Sequence, residues 1–147
     1  MWLLWLVRAV LVAMSAVAVF TDIRWRRIPH GLTWPAAALG IAALTYRAGW
    51  LGLAMSGAGI GVMVLVTGVP WLLGGYGGGD FFFGVAAGAI GGPLFAVEVL
   101  FWSIAAGLVL WGGGIAARGW KAAVADPPPY APALAAGVLV ALWWSMR

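Results

Sequence analysis

Cysteine is missing from this chain of 147 residues, and histidine occurs once, at His30. Without thiols, the chain forms no disulfide bridge and has no thiol nucleophile. A single imidazole and no thiolate also rule out an ordinary zinc cluster. We therefore expect a protein that works without a bound metal and without a cofactor.

Charged residues are scarce, at 8% of the chain, whereas 65% of the residues are hydrophobic. A soluble domain has about 25% charged and about 45–50% apolar residues, so the composition predicts an integral membrane protein surrounded by lipid. The length suits a single domain over residues 1–147. The formal net charge of +4 is explained by loop charges that orient a membrane protein, and a nucleic-acid partner is not predicted.

Six hydrophobic stretches predict an all-α, polytopic membrane protein with about six transmembrane helices. About twenty apolar residues span the hydrocarbon of a bilayer. The six stretches are residues 2–20, 32–46, 51–73, 81–90, 94–117 and 131–146. The fourth stretch rises only about 15 Å as a helix, so it must be buried among its neighbours or start below the membrane surface. Glycine and proline predict turns around Gly49 and at residues 91–93.

Basic residues predict which side of the membrane each loop occupies, because arginine and lysine concentrate in cytoplasmic loops. Five basic residues fall in two loops on one side of the predicted bundle: Arg24, Arg26, Arg27, Arg118 and Lys121. Both termini are then outside, and Arg47 and Arg147 lie in outside segments. Asp22 and Asp80 fall on the cytoplasmic side, each at the end of a helix.

A glycine-rich stretch, GGYGGGD at residues 74–80, interrupts the apolar chain. Glycine permits close backbone approach, and Asp80 puts a carboxylate at the mouth of an apolar run, where it needs a partner, a proton or water. Taken alone, Asp80 would equally suit a helix N-cap. Taken alone, Asp22 would suit an interfacial acid neutralised by the neighbouring arginines.

Two carboxylates at one membrane depth, one of them beside a glycine-rich loop, are what aspartic proteolysis requires. Like charges close together disfavour double ionisation, so the pair holds one proton. The ionised member takes a proton from water as the water attacks the scissile carbonyl, and the protonated member donates to the carbonyl oxygen. Asp22 and Asp80 are therefore the predicted catalytic residues.

The segments around the two aspartates resemble motifs of the type IV prepilin peptidases, which are membrane aspartic proteases with a G-x-G-D signature. Residues 22–29, DIRWRRIP, resemble the family block D-x-x-x-R-x-I-P-N, and residues 77–80, GGGD, resemble the signature. Residues 128–137, PPYAPALAAG, are similar to the family segment P-Y-x-x-A-x-x-x-G. The glycines and proline at residues 91–93 also match the family pattern.

The chain departs from this family pattern at two positions. Phe82 stands where the family usually has lysine, and His30 stands where it usually has asparagine. The missing lysine removes a cation near Asp80, and Arg24, Arg26 and Arg27 are the candidates to supply that charge instead. Two alternatives stay open: a catalytically inactive homologue and a non-enzymatic small membrane subunit.

The resemblance implies a multi-pass enzyme of the bacterial inner membrane that cleaves the leader of type IV prepilins or pilin-like precursors at the cytoplasmic face. It implies the short, peptidase-only form of tight-adherence (Flp) pilus systems, without methyl transfer. The precursor is the expected partner. We expect its scissile segment to lie extended along residues 74–79 and to pair with bare glycine backbone. The predicted substrate-binding residues are Gly77, Gly78, Gly79, Arg26 and Arg27.

Overall fold

The computed structural model describes residues 2–146, and these residues form helices and no strand. Arg147, which the sequence assigns to an outside segment, lies beyond the described residues. The helices are α1 (Trp2–Trp25), α2 (His30–Leu72), α3 (Gly78–Arg118), α4 (Trp120–Ala125) and α5 (Ala131–Trp144). The first three are long and apolar enough to cross a membrane. The all-α prediction is confirmed, and the three long apolar helices support the prediction of a membrane protein.

α2 consists of two helical parts joined by a turn at Gly49. Gly49 has φ 58° and ψ −135°, a left-handed conformation that glycine adopts more readily than other residues. A Cβ added to Gly52 would collide with the carbonyl oxygen of Leu44, although residues so spaced lie about 12 Å apart in a continuous helix. The chain therefore doubles back at Gly49, within the turn predicted there.

α3 is interrupted in the same way at Gly92, which has φ 79° and precedes Pro93, a residue that breaks helical hydrogen bonding. Asp80 and Gly107 line one cavity, whereas a continuous helix would separate them by about 40 Å. The two parts of α3 therefore fold back on each other. The break falls within the turn predicted at residues 91–93.

The second part of α2 and the first part of α3 approach each other through small residues. A Cβ added to Gly59 or to Gly88 would collide with the carbonyl oxygen of the other glycine. Ser56 donates a hydrogen bond of 2.7 Å to the carbonyl oxygen of Ala89 in the same contact. Small residues allow helix backbones in membranes to pack this closely. The contact fixes the part of α3 that carries Asp80.

Large hydrophobic side chains cover much of the outer surface of the bundle. Leu65, Leu72 and Leu94 are among many that are more than three-quarters exposed. Apolar surface of this extent is rare on soluble monomers and marks a surface that meets lipid or another apolar partner. The exposed apolar surface therefore supports a membrane protein, as the length of the helices does.

Helix boundaries differ from the predicted ones at one end of the bundle. α1 continues through Asp22 to Trp25, α3 begins at Gly78 rather than at Phe81, and α4 was not predicted. The hydrophobic pattern stops where the chain becomes polar, but backbone hydrogen bonding continues: the N–H of Arg26 still bonds to the carbonyl of Asp22 at 2.8 Å. Both aspartates consequently lie on helices rather than in loops.

Candidate active site

Asp22 lies in the last turn of α1 and is buried, with 8% of its surface exposed. Its Oδ2 accepts a hydrogen bond of 3.0 Å from the backbone N–H of Ala131, the first residue of α5. The first N–H groups of a helix have no acceptor within the helix, so Asp22 satisfies one of them. This bond joins α1 to α5 and fixes the direction of the carboxylate.

Asp80 lies in the first turn of α3 and is half-buried. Its Oδ1 is buried without a hydrogen-bond partner among the described residues, and a Cβ added to Gly77 would lie 2.6 Å from its Oδ2. The N-cap of α3 is Gly77, with no side-chain capping bond, so the interpretation of Asp80 as an N-cap is wrong. A buried carboxylate oxygen without a partner calls for water or a ligand.

Asp22 and Asp80 face the same space. Both line two adjoining cavities of about 580 Å³ and about 710 Å³, and the negative charge of Asp22 acts on Asp80. The loop that follows α1 packs against the start of α3, where a Cβ added to Gly79 would lie 2.8 Å from the Cβ of Ile28. Two like charges in one cavity disfavour double ionisation, so this arrangement favours a pair that shares one proton. Within residues 2–146, no three metal-ligating side chains converge.

The larger of these two cavities, called the basic cavity below, opens between α1 and the start of α2. Its lining includes Arg26, Arg27 and His30, together with the backbone of residues 77–80. Gly78 and Gly79 are already helical, so the non-helical part of the glycine-rich stretch ends at Gly77. The first N–H groups of α3 lack acceptors within the helix, and the residues that carry them line this cavity.

The smaller cavity, called the aromatic cavity below, lies on the other side of the aspartates and includes Tyr76, Trp111 and Tyr130 in its lining. The rings of Tyr76 and Tyr130 meet edge to face, with centroids 5.5 Å apart. Burial raises the pKa of the Tyr76 hydroxyl, and the nearby Tyr130 and Asp80 raise it further. Burial and Asp80 also raise the pKa of the Tyr130 hydroxyl. Both phenols therefore stay neutral beside the aspartates.

Arg26 connects the loop after α1 to the loop before α5. Its guanidinium donates a hydrogen bond of 2.7 Å to the carbonyl of Pro127 and forms an ion pair of 3.0 Å with Asp126. Arg118 forms an ion pair with the same acid at 3.3 Å. The backbone of Arg26 has φ 53°, which is uncommon outside glycine. Arg26 therefore has a structural role, in addition to lining both cavities.

The two departures from the family pattern contact each other. The rings of His30 and Phe82 meet edge to face with centroids 4.8 Å apart, and Phe82 also lies 5.5 Å from Trp34 and 6.0 Å from Trp71. Phe82 is not among the described residues that line the basic or the aromatic cavity. The side chain at position 82 therefore packs the start of α3 against α2 and does not face the aspartates.

Sequence reasoning missed Tyr76 and Ala131. Tyr76 is the one large side chain within the glycine-rich stretch, and that contrast could have drawn attention to it. Ala131 contributes through its backbone N–H, which no side-chain pattern reveals. Of the predicted substrate-binding residues, the structure brings Gly77, Gly78, Gly79 and the two arginines to the basic cavity.

The sequence pattern of the type IV leader peptidase family matches residues 9–112 of this chain. The match includes most of α1, all of α2 and most of α3, and therefore both aspartates; Tyr130 and Ala131 lie outside it. The chain belongs to this family, as the resemblance predicted, and membership implies a peptidase. Neither the curated proteins nor the solved structures contain a match to the chain.

Proposed function

We propose that Asp22 and Asp80 are the catalytic pair of an aspartic endopeptidase that removes the leader of type IV prepilins or pilin-like precursors. The observation that carries the proposal is the arrangement of two carboxylates, from α1 and α3, around one space, together with a buried Asp80 Oδ1 that has no partner among the described residues. Such a space suits a water molecule held between two carboxylates. Membership of a peptidase family supports this reaction over a purely structural use of the acids.

The proposed reaction begins with one carboxylate ionised and the other protonated. The ionised carboxylate takes a proton from water, and the water oxygen forms a bond to the scissile carbonyl carbon while the protonated carboxyl donates to the carbonyl oxygen. The N–H groups at the start of α3 lie where they can support the developing negative charge. The tetrahedral intermediate then breaks its C–N bond, and a proton from the pair passes to the leaving amine.

The substrate segment on either side of the scissile bond would occupy the two cavities. We expect an extended backbone to pair with residues 74–77, the non-helical remainder of the glycine-rich stretch, and to end against the first turn of α3. Arg26 and Arg27 provide positive charge in the basic cavity, and Tyr76 provides a neutral aromatic wall in the other. The proposal concerns leader cleavage, and methyl transfer is not part of it.

We further propose that the enzyme crosses the bacterial inner membrane six times, with both termini outside and the aspartates on the cytoplasmic side. The reversals at Gly49 and Gly92 support this count, because each divides a long helix into two potential spans. The chain has no cysteine, so single cysteines can report their side of the membrane. In intact cells, a membrane-impermeant maleimide should label Trp50→Cys but not Lys121→Cys; the reverse pattern would refute the orientation.

Co-expression with a Flp-type prepilin tests the activity, with leader removal followed as a mobility shift on a gel. Wild type should process the precursor, and Asp22→Asn and Asp80→Asn should each abolish processing while remaining inserted in the membrane. Glu98→Gln is the matched control, because this acid lies at the other end of the bundle, outside both cavities and away from Arg26. An unprocessed precursor with wild type, across several prepilins, would favour an inactive homologue or a non-enzymatic subunit.

A further inference from the structure

A second group of charged residues lies at the end of the bundle away from the aspartates. Arg8 of α1, Arg47 of α2 and Glu98 of α3 line one cavity of about 460 Å³, called the charged cavity below. Arg8 is about 21 Å from Asp22 along α1. The charged cavity is therefore separate from the basic and aromatic cavities, and the proposed peptidase reaction does not use it.

These three charges form no ion pair with any of the described residues 2–146. Every ion pair among the described residues lies at the other end of the bundle, and Arg8 instead has its guanidinium carbon 5.5 Å from the centroid of the Trp5 ring. Arg8 and Glu98 are half-buried, and Leu44, Phe95 and Leu142 form apolar walls around them. Unpaired charges beside hydrocarbon are costly in a membrane protein, so the charged cavity calls for a ligand with charges of its own.

An apolar groove adjoins the charged cavity. It has a volume of about 300 Å³, runs between α1 and the first part of α2, and shares Val7 and Ile90 with the charged cavity. Its lining is almost wholly hydrocarbon and aromatic, with Leu6, Val10 and Leu39 among its side chains. A charged cavity that continues into an apolar groove matches the two chemical halves of a phospholipid, a charged head group and an acyl chain.

We propose that the charged cavity and the apolar groove together bind one phospholipid whose head group carries both a phosphate and a primary ammonium, as in phosphatidylethanolamine. Arg8 and Arg47 would bind the phosphate, since guanidinium groups suit phosphate oxygens. Glu98 would bind the ammonium, and an acyl chain would lie in the apolar groove. Glu98 decides the choice of head group, because a lipid with a phosphate alone would bring a second anion next to this carboxylate.

Native mass spectrometry of the purified, delipidated protein tests this proposal, with phosphatidylethanolamine and phosphatidylglycerol of identical acyl chains added in separate titrations. Wild type should retain phosphatidylethanolamine about tenfold more strongly or better, the scale of one hydrogen bond to a charged group. Glu98→Gln should remove this preference while retaining phosphatidylglycerol. Arg47→Gln should weaken both lipids, and Lys121→Gln, a change at an exposed site of α4, is the control for a lost surface charge.

Equal retention of the two lipids by wild type would overturn the proposal, and so would an unchanged preference in Glu98→Gln. If Arg47→Gln is not recovered as folded protein, Arg8→Lys replaces it: this variant keeps the charge but loses the two-pronged guanidinium, and it should weaken both lipids. Soluble O-phosphoethanolamine distinguishes the sources of the head group. It should fail to displace the lipid at equal concentration, whereas efficient displacement would mean that the site recognises a free phosphate compound and not a lipid.

Discussion

The two ends of the helix bundle both carry charged residues, but only at the aspartate end are some of these residues held by other described parts of the chain. At one end, Asp22 accepts a backbone N–H, and Arg26 is held by an acid and a carbonyl group. At the other end, Arg8, Arg47 and Glu98 have no ion pair among the described residues. Charges fixed by their own chain suit chemistry, which needs fixed geometry. Charged residues that lack partners suit a ligand that carries groups of the opposite charge.

The backbone differs between the two ends as well. At the aspartate end, Gly77 and Gly79 lie so close to Asp80 Oδ2 and to Ile28 that no larger residue fits without movement. At the other end, Gly49 forms a turn with open space around it. Glycine allows close packing at Gly77 and Gly79, and it allows a positive φ at Gly49. Four expectations follow, each of which disturbs the aspartate end or the packing that supports it.

The largest effect is expected from Gly77→Ala. The added Cβ would lie 2.6 Å from Asp80 Oδ2 and push the carboxylate out of position, and a displacement of about 1 Å at a catalytic group costs about 10²-fold in rate. Prepilin cleavage by the purified variant should fall accordingly. Gly31→Ala is the control, because nothing lies within 4 Å of its added Cβ. Equal rates for the two variants would show that the position of Asp80 does not depend on Gly77.

Gly59→Ala should loosen the contact between α2 and α3 that supports the aspartate end. Its added Cβ would collide with the backbone of Gly88, and overpacking of this kind costs about 1–3 kcal/mol. The variant should therefore unfold at lower temperature in detergent. Gly61→Ala, two residues along the same helix with no atom within 4 Å of its added Cβ, should be as stable as wild type or more so. Similar melting temperatures for both variants would contradict the packing described.

His30 and Phe82 should depend on each other. An edge-to-face aromatic pair contributes about 0.5–1.5 kcal/mol beyond simple burial, so His30→Asn and Phe82→Lys should each lower stability. The double variant, which restores the usual family residues at both positions, should lose less than the sum of the two. A double-mutant cycle on melting or denaturant unfolding measures this coupling. Strictly additive losses would show that the ring contact at 4.8 Å has no energetic role.

The smallest effect concerns alkaline pH. Burial, Tyr130 and Asp80 raise the pKa of Tyr76 in the folded protein, whereas the unfolded chain has the ordinary pKa of about 10. The contribution of Tyr76 to the free energy of unfolding is therefore fully present below pH about 10 and is lost as the pH rises beyond that value. When melting temperatures are measured from pH 8 to 11, the melting temperature of Tyr76→Phe should decline less steeply with pH than that of wild type. Parallel curves would contradict the buried environment assigned to Tyr76.

Much of this arrangement could be predicted from the sequence because it depends on the hydrophobic pattern and on the positions of glycine. The all-α class and the turns at Gly49 and Gly92 follow from the apolar stretches and the residues that interrupt them. The family follows from the motifs around the two aspartates. The juxtaposition of Asp22 and Asp80 was expected from their common side of the membrane, and both line the same cavities. These features depend on patterns within the chain rather than on single contacts.

The remaining details depend on contacts between distant parts of the chain. The hydrophobic pattern could not show that α1 continues past Asp22, because backbone hydrogen bonds extend the helix into a polar segment. It gave no sign that Arg26 binds Asp126 and Pro127, a hundred positions away. The proximity of Tyr76 and Tyr130 likewise exists only once α3 has folded back at Gly92.

The most direct measurement is the rate of leader removal by the purified protein in lipid, for Asp22→Asn, Asp80→Asn and the double variant. Groups that act as one catalytic unit have strongly non-additive effects. If the aspartates share one proton and one water, each single change should lower the rate by about 10³-fold or more, in the upper range for general acid–base catalysis, and the double variant should be no slower than the singles. A single variant that keeps the wild-type rate, or losses that multiply in the double variant, would contradict the pair.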